Sequence, residues 1–411
     1  MLSRTVPDSP AILASLSEGF VCKIIDWLSG DECHELDLSG LTAGLGVRMR
    51  AAGIPLDRMA LHMRTLHPLI RGRTFAWAPN EPVEFLDLQH GADASALLGN
   101  PVHHVVNALE WLTLRLDDPS TKWPTPDAFR ERNLTELLIA PLLHGGELAS
   151  AVTFGTRQPK GFTQSQRALL QAVVPALRSA SELKLLRHVE TTLLTTYVGA
   201  IAGQHILAGH IRRGDVETLD AALMLCDLRG FTALSNQLPE ERVLEILNIY
   251  FDQVVPAITN AGGEILKFMG DAVLAYFNHE DGAAASCVAA FDAAREALAR
   301  LAAVSNTGSD LSVGVALHYG KVSYGNIGSG NRLDFTIIGR DVNLVSRIEG
   351  ICASTGHSLV MSKRFASLLA ASHFVSIGRH ELKGFAEPVE LFSSTILDDQ
   401  ATLATSAPRA T

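Results

Sequence analysis

Residues 223–277 read LMLCDLRGFTALSNQLPEERVLEILNIYFDQVVPAITNAGGEILKFMGDAVLAYF. Two aspartates punctuate this stretch. Asp227 ends an apolar run, Ala221 to Cys226, with the look of a buried strand. Asp271 stands in Met269-Gly270-Asp271, between the apolar runs Glu264 to Phe268 and Ala272 to Phe277, a pattern that predicts a β-hairpin with the acid at its turn. Between the aspartates, Pro239-Glu240-Glu241 opens a helix and places acids at its positive dipole end. Leu244, Leu247, Ile249, Tyr250 and Val254 supply its apolar face, and Gly262-Gly263 ends it.

A strand, a long helix and a hairpin in this order bring the two acids together at one sheet edge. Carboxylates that close repel unless a cation lies between them. Two hard carboxylates with open coordination positions suit Mg²⁺, which completes its shell with water and substrate phosphates. The stretch therefore predicts a two-metal phosphoryl-transfer site.

Working outward, 411 residues allow two or three domains. With 47% hydrophobic and 19% charged residues, the composition is that of a soluble globular protein. The net charge of −10, without any Lys/Arg run, argues against nucleic acid as a partner. No apolar stretch of membrane-spanning length occurs: the Ala-rich segment Ala283 to Val304 carries Asp292, Arg295, Glu296 and Arg300. The N-terminus, MLSRTVPDSP, lacks the apolar core of a signal peptide. A cytoplasmic protein is expected. Cys22, Cys33, Cys226, Cys287 and Cys352 show no CxxC or CxxH spacing, so reduced and mostly buried thiols are expected and a metal cluster is not. Cys226 adjoins Asp227 but points to the opposite face of a strand.

Residues 1–180 form a region of their own. Met1 to Ser9 is expected to be loose. Helices are predicted over Ile12 to Leu28 and Ala43 to Ala52, and strands over Asp57 to Leu66 and Val83 to Leu88. The clearest hairpin is Leu134 to Thr156, with its turn at His144-Gly145-Gly146-Glu147. Thr163 and Gln166 are spaced as a capping box for the helix that follows. His103-His104 does not have metal-ligand spacing, because neighbours point apart on a strand and share no helix face. Trp77, Trp111 and Trp123 are expected in the core or in a pocket wall. Residues 181–216 read as a helical coupling linker. Leu186, Val189, Leu193 and Tyr197 form a short stripe that pairs with its copy in a parallel dimer or packs on the front region. Pro175 is expected to kink or interrupt that helix. The tail, residues 397–411, reads as disordered.

The motifs CDLRGFT, LKFMGDAVLAYF, VGVALHYGKVSYGNIGS, DFTIIGRDVNLVSRIE and ELKGFAEPVELF follow one another between Leu219 and Ser394. In this order they resemble the catalytic domain of the class III nucleotidyl cyclases, the adenylate and guanylate cyclases. The resemblance implies an α/β (α+β) catalytic domain over residues 217–396, ferredoxin-like, with a mainly antiparallel sheet covered by helices on one face. The hairpin and FTQSQRALLQAVVPAL that end the front region resemble the C-terminal half of a GAF-type sensor. An unidentified small molecule or signal would be its input; a module without a ligand that only sets dimer geometry is the alternative.

The cyclase resemblance also implies a reaction, ATP to 3′,5′-cyclic AMP and pyrophosphate, with two Mg²⁺ or Mn²⁺ ions per site. Asp227 and Asp271 match the family's metal-binding acids, and the Leu228 carbonyl is a further candidate ligand. Lys267 and Thr336 match its purine-reading pair. Lysine has only donors and suits adenine N1, whereas guanine presents a donor there. Adenylate cyclases place Lys with Asp or Thr at these positions; guanylate cyclases use Glu with Cys. Asn343 and Arg347, one helical turn apart, match the transition-state pair, Asn343 for the ribose and Arg347 for charge on the α-phosphoryl group. Lys383 matches the lysine that grips the terminal phosphates. One departure stands out: Ser312 occupies a position where many relatives have arginine, with Arg332 and Lys321 as conceivable replacements. GNIGSG is expected to be a tight turn, since no helix signal follows it as a phosphate loop would need. His318 is expected to be structural. The family's site forms between two catalytic domains, so a homodimer with two equivalent sites is implied. A guanylate cyclase and a regulatory dimer that binds nucleotide without turning it over are the alternatives.

Overall fold

A computed structural model describes residues 10–91, 100–118, 123, 129, 131–142, 150–305, 311–330, 332–370 and 374–394, with residues 10–18 and 305 described by backbone alone. The chain divides into two compact units between Leu193 and Leu194. The predicted turn at His144 to Glu147, the loose start before residue 10 and the tail 397–411 lie outside the described residues.

In the first unit, helices Pro10–Ser29, Asp31–Glu35 and Leu38–Ala51 precede strands β1 (Arg58–Arg64), β2 (Ile70–Trp77) and β3 (Glu84–Gln89). Helix Pro101–Ala108, β4 (Leu112–Arg115), β5 (Glu136–Leu142), β6 (Ser150–Thr156) and helix Gln164–Val198 follow. The strands form an antiparallel sheet in the order β3-β2-β1-β6-β5-β4. One face packs Leu61, Met63, Trp77 and Phe154 against Leu41, Leu45, Met49, Leu170 and Leu177 of the flanking helices. The other face sets Leu137, Ile139 and Ala151 against Val105. The second predicted helix begins at Leu38, earlier than the expected Ala43, because Asp37 caps it by accepting from the Gly40 amide at 2.7 Å. β2 was not expected: Arg71, Gly72 and Arg73 break its alternation, and it becomes a strand by pairing on both sides.

The expected capping box is present. Gln166 N donates to Thr163 Oγ1 at 3.3 Å, and Thr163 N donates to Gln166 Oε1 at 2.9 Å. Pro175 does not interrupt the helix, which runs unbroken from Gln164 to Val198. A proline removes one backbone hydrogen bond, and the burial of Leu170, Val173, Val174 and Leu177 around it holds the helix together. The predicted stripe is divided: Val189 and Leu193 pack on the first unit's core, while Leu186 and Tyr197 are exposed. His103 and His104 lie on helix Pro101–Ala108, where His103 meets Asn107 and His104 stacks at 5.0 Å on Trp123.

The second unit opens with helix Ala200–Leu207 and β7 (Val216–Leu228), then helices Phe231–Gln237 and Glu240–Asn260, β8 (Glu264–Met269), β9 (Ala272–Phe277) and helix Ala283–Ser305. It continues with β10 (Val313–Ser329), β11 (Arg332–Ile338), helix Arg340–Thr355, β12 (Leu359–Ser362), the short helix Lys363–Ala366, β13 (Phe374–His380) and β14 (Val389–Ser394). The sheet order is β13-β14-β12-β10-β7-β9-β8, with β11 paired to β10. Every pairing is antiparallel except β10 with β12.

Period-2 alternation splits β7 between two cores. Ala222, Met224, Cys226 and Leu228 pack beneath helices Glu240–Asn260 and Ala283–Ser305. Ala221, Leu223 and Leu225 pack against Val345, Ile348 and Cys352 of helix Arg340–Thr355 and against Ala202. Helices thus cover both faces of the sheet, correcting the expectation of one, because two apolar faces both need burial. The long helix starts and stops as predicted, but its buried stripe is Ile246, Tyr250, Val254, Ala257 and Ile258; Leu244 is exposed. GNIGSG is also corrected: Gly325 to Ser329 continue β10 as strand. A Cβ at Gly325 or Gly328 would overlap the Asp215 or Arg332 carbonyl, so these glycines permit close backbone approach.

Candidate functional site

Asp227 is the penultimate residue of β7, and alternation turns it away from Cys226, which is fully buried beneath Tyr250. Tyr250 Oη donates to the Cys226 carbonyl at 3.1 Å and so ties the long helix to this strand end. Asp271 occupies the β8–β9 turn, where Gly270 adopts φ 69°. β9 pairs with β7, Cys226 opposite Val273, and this register brings the two acids to the same sheet edge. Both are half-buried.

Their electrostatics record the encounter. The Asp227 carboxyl is pushed from 3.8 up to about 7, first by burial, then by a hydrogen bond and charge from Asp271, and then by the charge of Glu349. The Leu228 amide opposes this by donating to Asp227 Oδ1 at 3.1 Å. Two half-buried carboxylates in contact must share a proton or a cation. Oxygen donors of this kind suit a hard divalent ion such as Mg²⁺ or Mn²⁺, so the residues present fit the metal that the sequence implies. Among the described residues no cluster of three or more His, Cys, Asp or Glu side chains could hold a metal. Protein donors to such an ion would be these two acids and neighbouring backbone oxygens such as the Leu228 carbonyl.

Lys267 on β8 reaches across to Asp334 on β11. A register shift in β8 between Ile265 and Lys267 re-aims the lysine. Its Nζ lies 2.9 Å from Asp334 Oδ2, two residues before Thr336 on the same face of β11. Thr336 is buried, and its Oγ1 has no hydrogen-bond partner. A buried polar atom without a partner is costly unless a ligand completes it.

Asn343 and Arg347 lie on the outward side of helix Arg340–Thr355 and are exposed, while Leu344, Val345, Ile348 and Cys352 face the sheet. Lys383 is exposed in a turn between buried Leu382 and Gly384, which takes φ 89°. The carbonyl of Ser312 accepts from Arg229 N at 2.8 Å, and Lys321 and Arg332 are exposed on β10 and β11.

Three residues were missed by sequence reasoning. Asp334 precedes Thr336 in DFT, and its period-2 spacing from Thr336 was the available signal. Glu349 adds a half-buried negative charge near both Asp227 and Asp271, and burial lifts its own carboxyl above the usual range. Arg229, in CDLRGFT, donates to the carbonyls of Cys352, Gly356 and His357, clamping the end of β7 to the end of helix Arg340–Thr355. Nothing local in the sequence marks Glu349 or the role of Arg229, because both depend on contacts more than 70 residues away, such as that of Arg229 with Cys352, 123 residues on.

In the first unit, a half-open cavity of about 270 Å³ is lined by Leu28, Cys33, His34, Ala180, Leu183 and Lys184, among others. The Lys184 ammonium donates to the carbonyls of Cys33, His34 and Leu36. No helix among the described residues is long and apolar enough to cross a membrane.

Comparison with known proteins bears on the second unit. Residues 216–394 match a model described as the adenylate and guanylate cyclase catalytic domain. An adenylate cyclase of Anabaena cylindrica is 31% identical over 200 residues, 47% of this chain and 39% of that protein. Among solved structures, an adenylyl cyclase from P. aeruginosa is 28% identical with a TM-score of 0.40, covering 44% of this chain and 96% of that one. A guanylyl cyclase is 30% identical with a TM-score of 0.38, covering 43% of this chain and 92% of that one. The chain spans 39%, 7% and 21% of the length of the first three curated relatives it matches.

Proposed function

Because residues 216–394 belong to the adenylate and guanylate cyclase catalytic-domain family, we propose that the chain is an adenylate cyclase, forming 3′,5′-cyclic AMP and pyrophosphate from ATP in a homodimer. The observation that carries this reading is the meeting of Asp227 and Asp271, close enough that Asp271 lifts the Asp227 carboxyl.

In this reading Asp227 and Asp271, with the Leu228 carbonyl, hold two Mg²⁺ or Mn²⁺ ions. When bound, such ions would supply charge neutralisation for the triphosphate and acidity for the ribose 3′-hydroxyl; the 3′-oxygen forms its bond to the α-phosphorus in line as the bond from that phosphorus to the β-phosphate oxygen breaks and pyrophosphate leaves. Lys267 donates to adenine N1, and Thr336 Oγ1 accepts from the N6 amino group. The family model spans both purines, so the choice of ATP rests on these side chains. Guanine would set its N1–H donor against the Lys267 ammonium, and mismatched donors of this kind discriminate strongly. Asn343 orients the ribose. Arg347 stabilises the charge that develops on the α-phosphoryl group, for which a permanent, forked cation is suited. Lys383 holds the terminal phosphates. The first unit acts as a regulatory input to this site.

The test is product analysis of the purified full-length chain with ATP or GTP and either metal. Cyclic AMP is expected, and absence of any cyclic nucleotide overturns the reading. Mixing Asp227→Ala with Asn343→Ala chains should restore part of the activity, because one of the two sites in such a heterodimer is intact. Failure of every such mixture to recover activity rules out a shared site.

A further inference from the structure

LHYGK in β10 and RDVN at the start of helix Arg340–Thr355 are joined by contacts that the proposed chemistry does not use. Asp341 lies in the first turn of that helix and reaches back to β10. Its Oδ2 accepts from the Lys321 amide at 2.7 Å, and its Oδ1 lies 3.4 Å from His318 Nε2. The latter is an ion-pair distance but not a formed hydrogen bond, and Nε2 has no other partner although the ring is buried. His318 nevertheless holds the Asp341 carboxyl below the usual carboxylate range.

On its other side, His318 Nδ1 lies 2.7 Å from Ser362 Oγ. Ser362 Oγ already accepts from the Phe365 amide at 3.2 Å as the cap of helix Lys363–Ala366. Its proton is therefore free to go to Nδ1, an assignment that leaves an N–H on Nε2 facing Asp341. Ser, His and Asp are the residue types of a hydrolytic triad, but Ser362 is buried and its oxygen is occupied. The chain of contacts is an anchor.

Its location gives it a role. Helix Arg340–Thr355 has Gly339 at its N-cap and no side-chain capping bond. Asp341 is the acid in its first turn, favourable at the positive dipole end, and its carboxylate lies over Gly320, where a Cβ would overlap it. Asn343 and Arg347 project from the same turn and the next.

We propose that Asp341 and His318 are positioning residues: by tying the first turn of this helix to β10, they fix the rotation and axial position at which Asn343 and Arg347 are presented to the second copy's metal acids. This rests on the cyclase reading above. A displacement of about 1 Å at such groups costs about 100-fold in rate.

The experiment compares wild type with Asp341→Ala, His318→Leu and Gly320→Ala as full-length dimers. The expected result is a kcat lowered about 10- to 100-fold, KM for ATP changed by less than about threefold, and unchanged thermal unfolding. Asp341→Asn, which keeps an acceptor for the Lys321 amide, should recover part of the loss. In mixtures, Asp341→Ala should regain activity with Asp227→Ala chains and none with Asn343→Ala chains, a pattern that general destabilisation does not produce. A wild-type kcat in Asp341→Ala and Gly320→Ala, or equal rescue by both partners, overturns the proposal while leaving the cyclase reading intact. A wild type that makes no cyclic nucleotide overturns both.

Discussion

Replacing Asp271 by Asn tests the paired acids without relying on turnover. The Asp227 carboxyl titrates at about 7 in the folded, metal-free chain against an ordinary 3.8. Below pH 3.8 it is protonated in both folded and unfolded states. Between there and about 7 the unfolded chain gives up its proton while the folded chain keeps it, so stability falls as pH rises through this window. The full shift corresponds to about 4 kcal/mol. Water around a half-buried carboxylate screens this to about 2 kcal/mol, or about 4–8 °C in the unfolding midpoint of a unit this size. Asp271→Asn removes the hydrogen bond to a second acid and its charge but leaves burial, the largest cause. It should therefore flatten the pH slope by roughly half and raise the metal-free midpoint near pH 8. Mg²⁺ should raise the wild-type midpoint near pH 8 and have little effect on Asp271→Asn, since one carboxylate alone is a weak Mg²⁺ site. Differential scanning fluorimetry over pH 5–9, with and without Mg²⁺, measures both effects. A variant that keeps the wild-type slope, or equal stabilisation of both proteins by Mg²⁺, would refute the pairing of the two acids.

Lys267→Ala should lower kcat/KM for ATP by about 10- to 100-fold and narrow the preference for ATP over GTP, measured with the two nucleotides in competition. Arg347→Lys should reduce kcat by at least about 100-fold with no change in thermal midpoint, because the side chain is exposed and its loss opens no cavity. In the first unit, Arg167 donates two bonds to the buried carboxylate of Glu136 at 2.8 and 2.7 Å; Arg167→Ala should cost about 3–5 kcal/mol by chemical denaturation, because it leaves that charge buried without its main partner. His62, held between Thr74 Oγ1 and Thr153 Oγ1, is pushed down to about 4, first by burial and then by Arg58. Its contribution is complete above about pH 6.5 and lost as pH falls toward 4, by up to about 3 kcal/mol, and His62→Gln should abolish that part of the acid slope in urea titrations.

The second unit was legible where function and local pattern coincide. The β7 run, the Gly270 turn and the Pro239 start are each short-range signals, and together they placed Asp227 and Asp271 at one sheet edge. What escaped depends on partners distant in sequence. β2, with its two arginines around Gly72, becomes a strand because β1 and β3 pair with it. Pro175 sits inside an unbroken helix because packing outweighs one missing hydrogen bond. Glycine periodicity made GNIGSG look like a turn, yet the same glycines serve a strand that other backbone approaches closely. The second helical layer was missed because helix Arg340–Thr355 was read only for its outward pair, not for Leu344, Val345, Ile348 and Cys352 beneath.

Those two faces of one helix bear on the proposal that a single copy does not suffice. At about 100° per residue, Asn343 lies about 155° and Arg347 about 115° from the centre of the buried stripe. Asp227 shares the sheet face on which that stripe is packed. For Asn343 and Arg347 to address the Asp227 of their own chain, the helix would have to rotate by more than a quarter turn, exposing Val345, Ile348 and Cys352 and breaking both the Asp341 contacts and the Arg229 clamp. Burial of three such side chains contributes several kcal/mol at about 1.5–3 kcal/mol each, so the rotation is excluded. In the proposed homodimer the outward pair would be available to another molecule's acids, and the clamp from Arg229 to the end of the same helix would join the strand carrying Asp227 in one site to Asn343 and Arg347 of the other. A homodimer built this way has sites that are mechanically linked, so occupancy of one by metal and nucleotide should change the affinity of its twin.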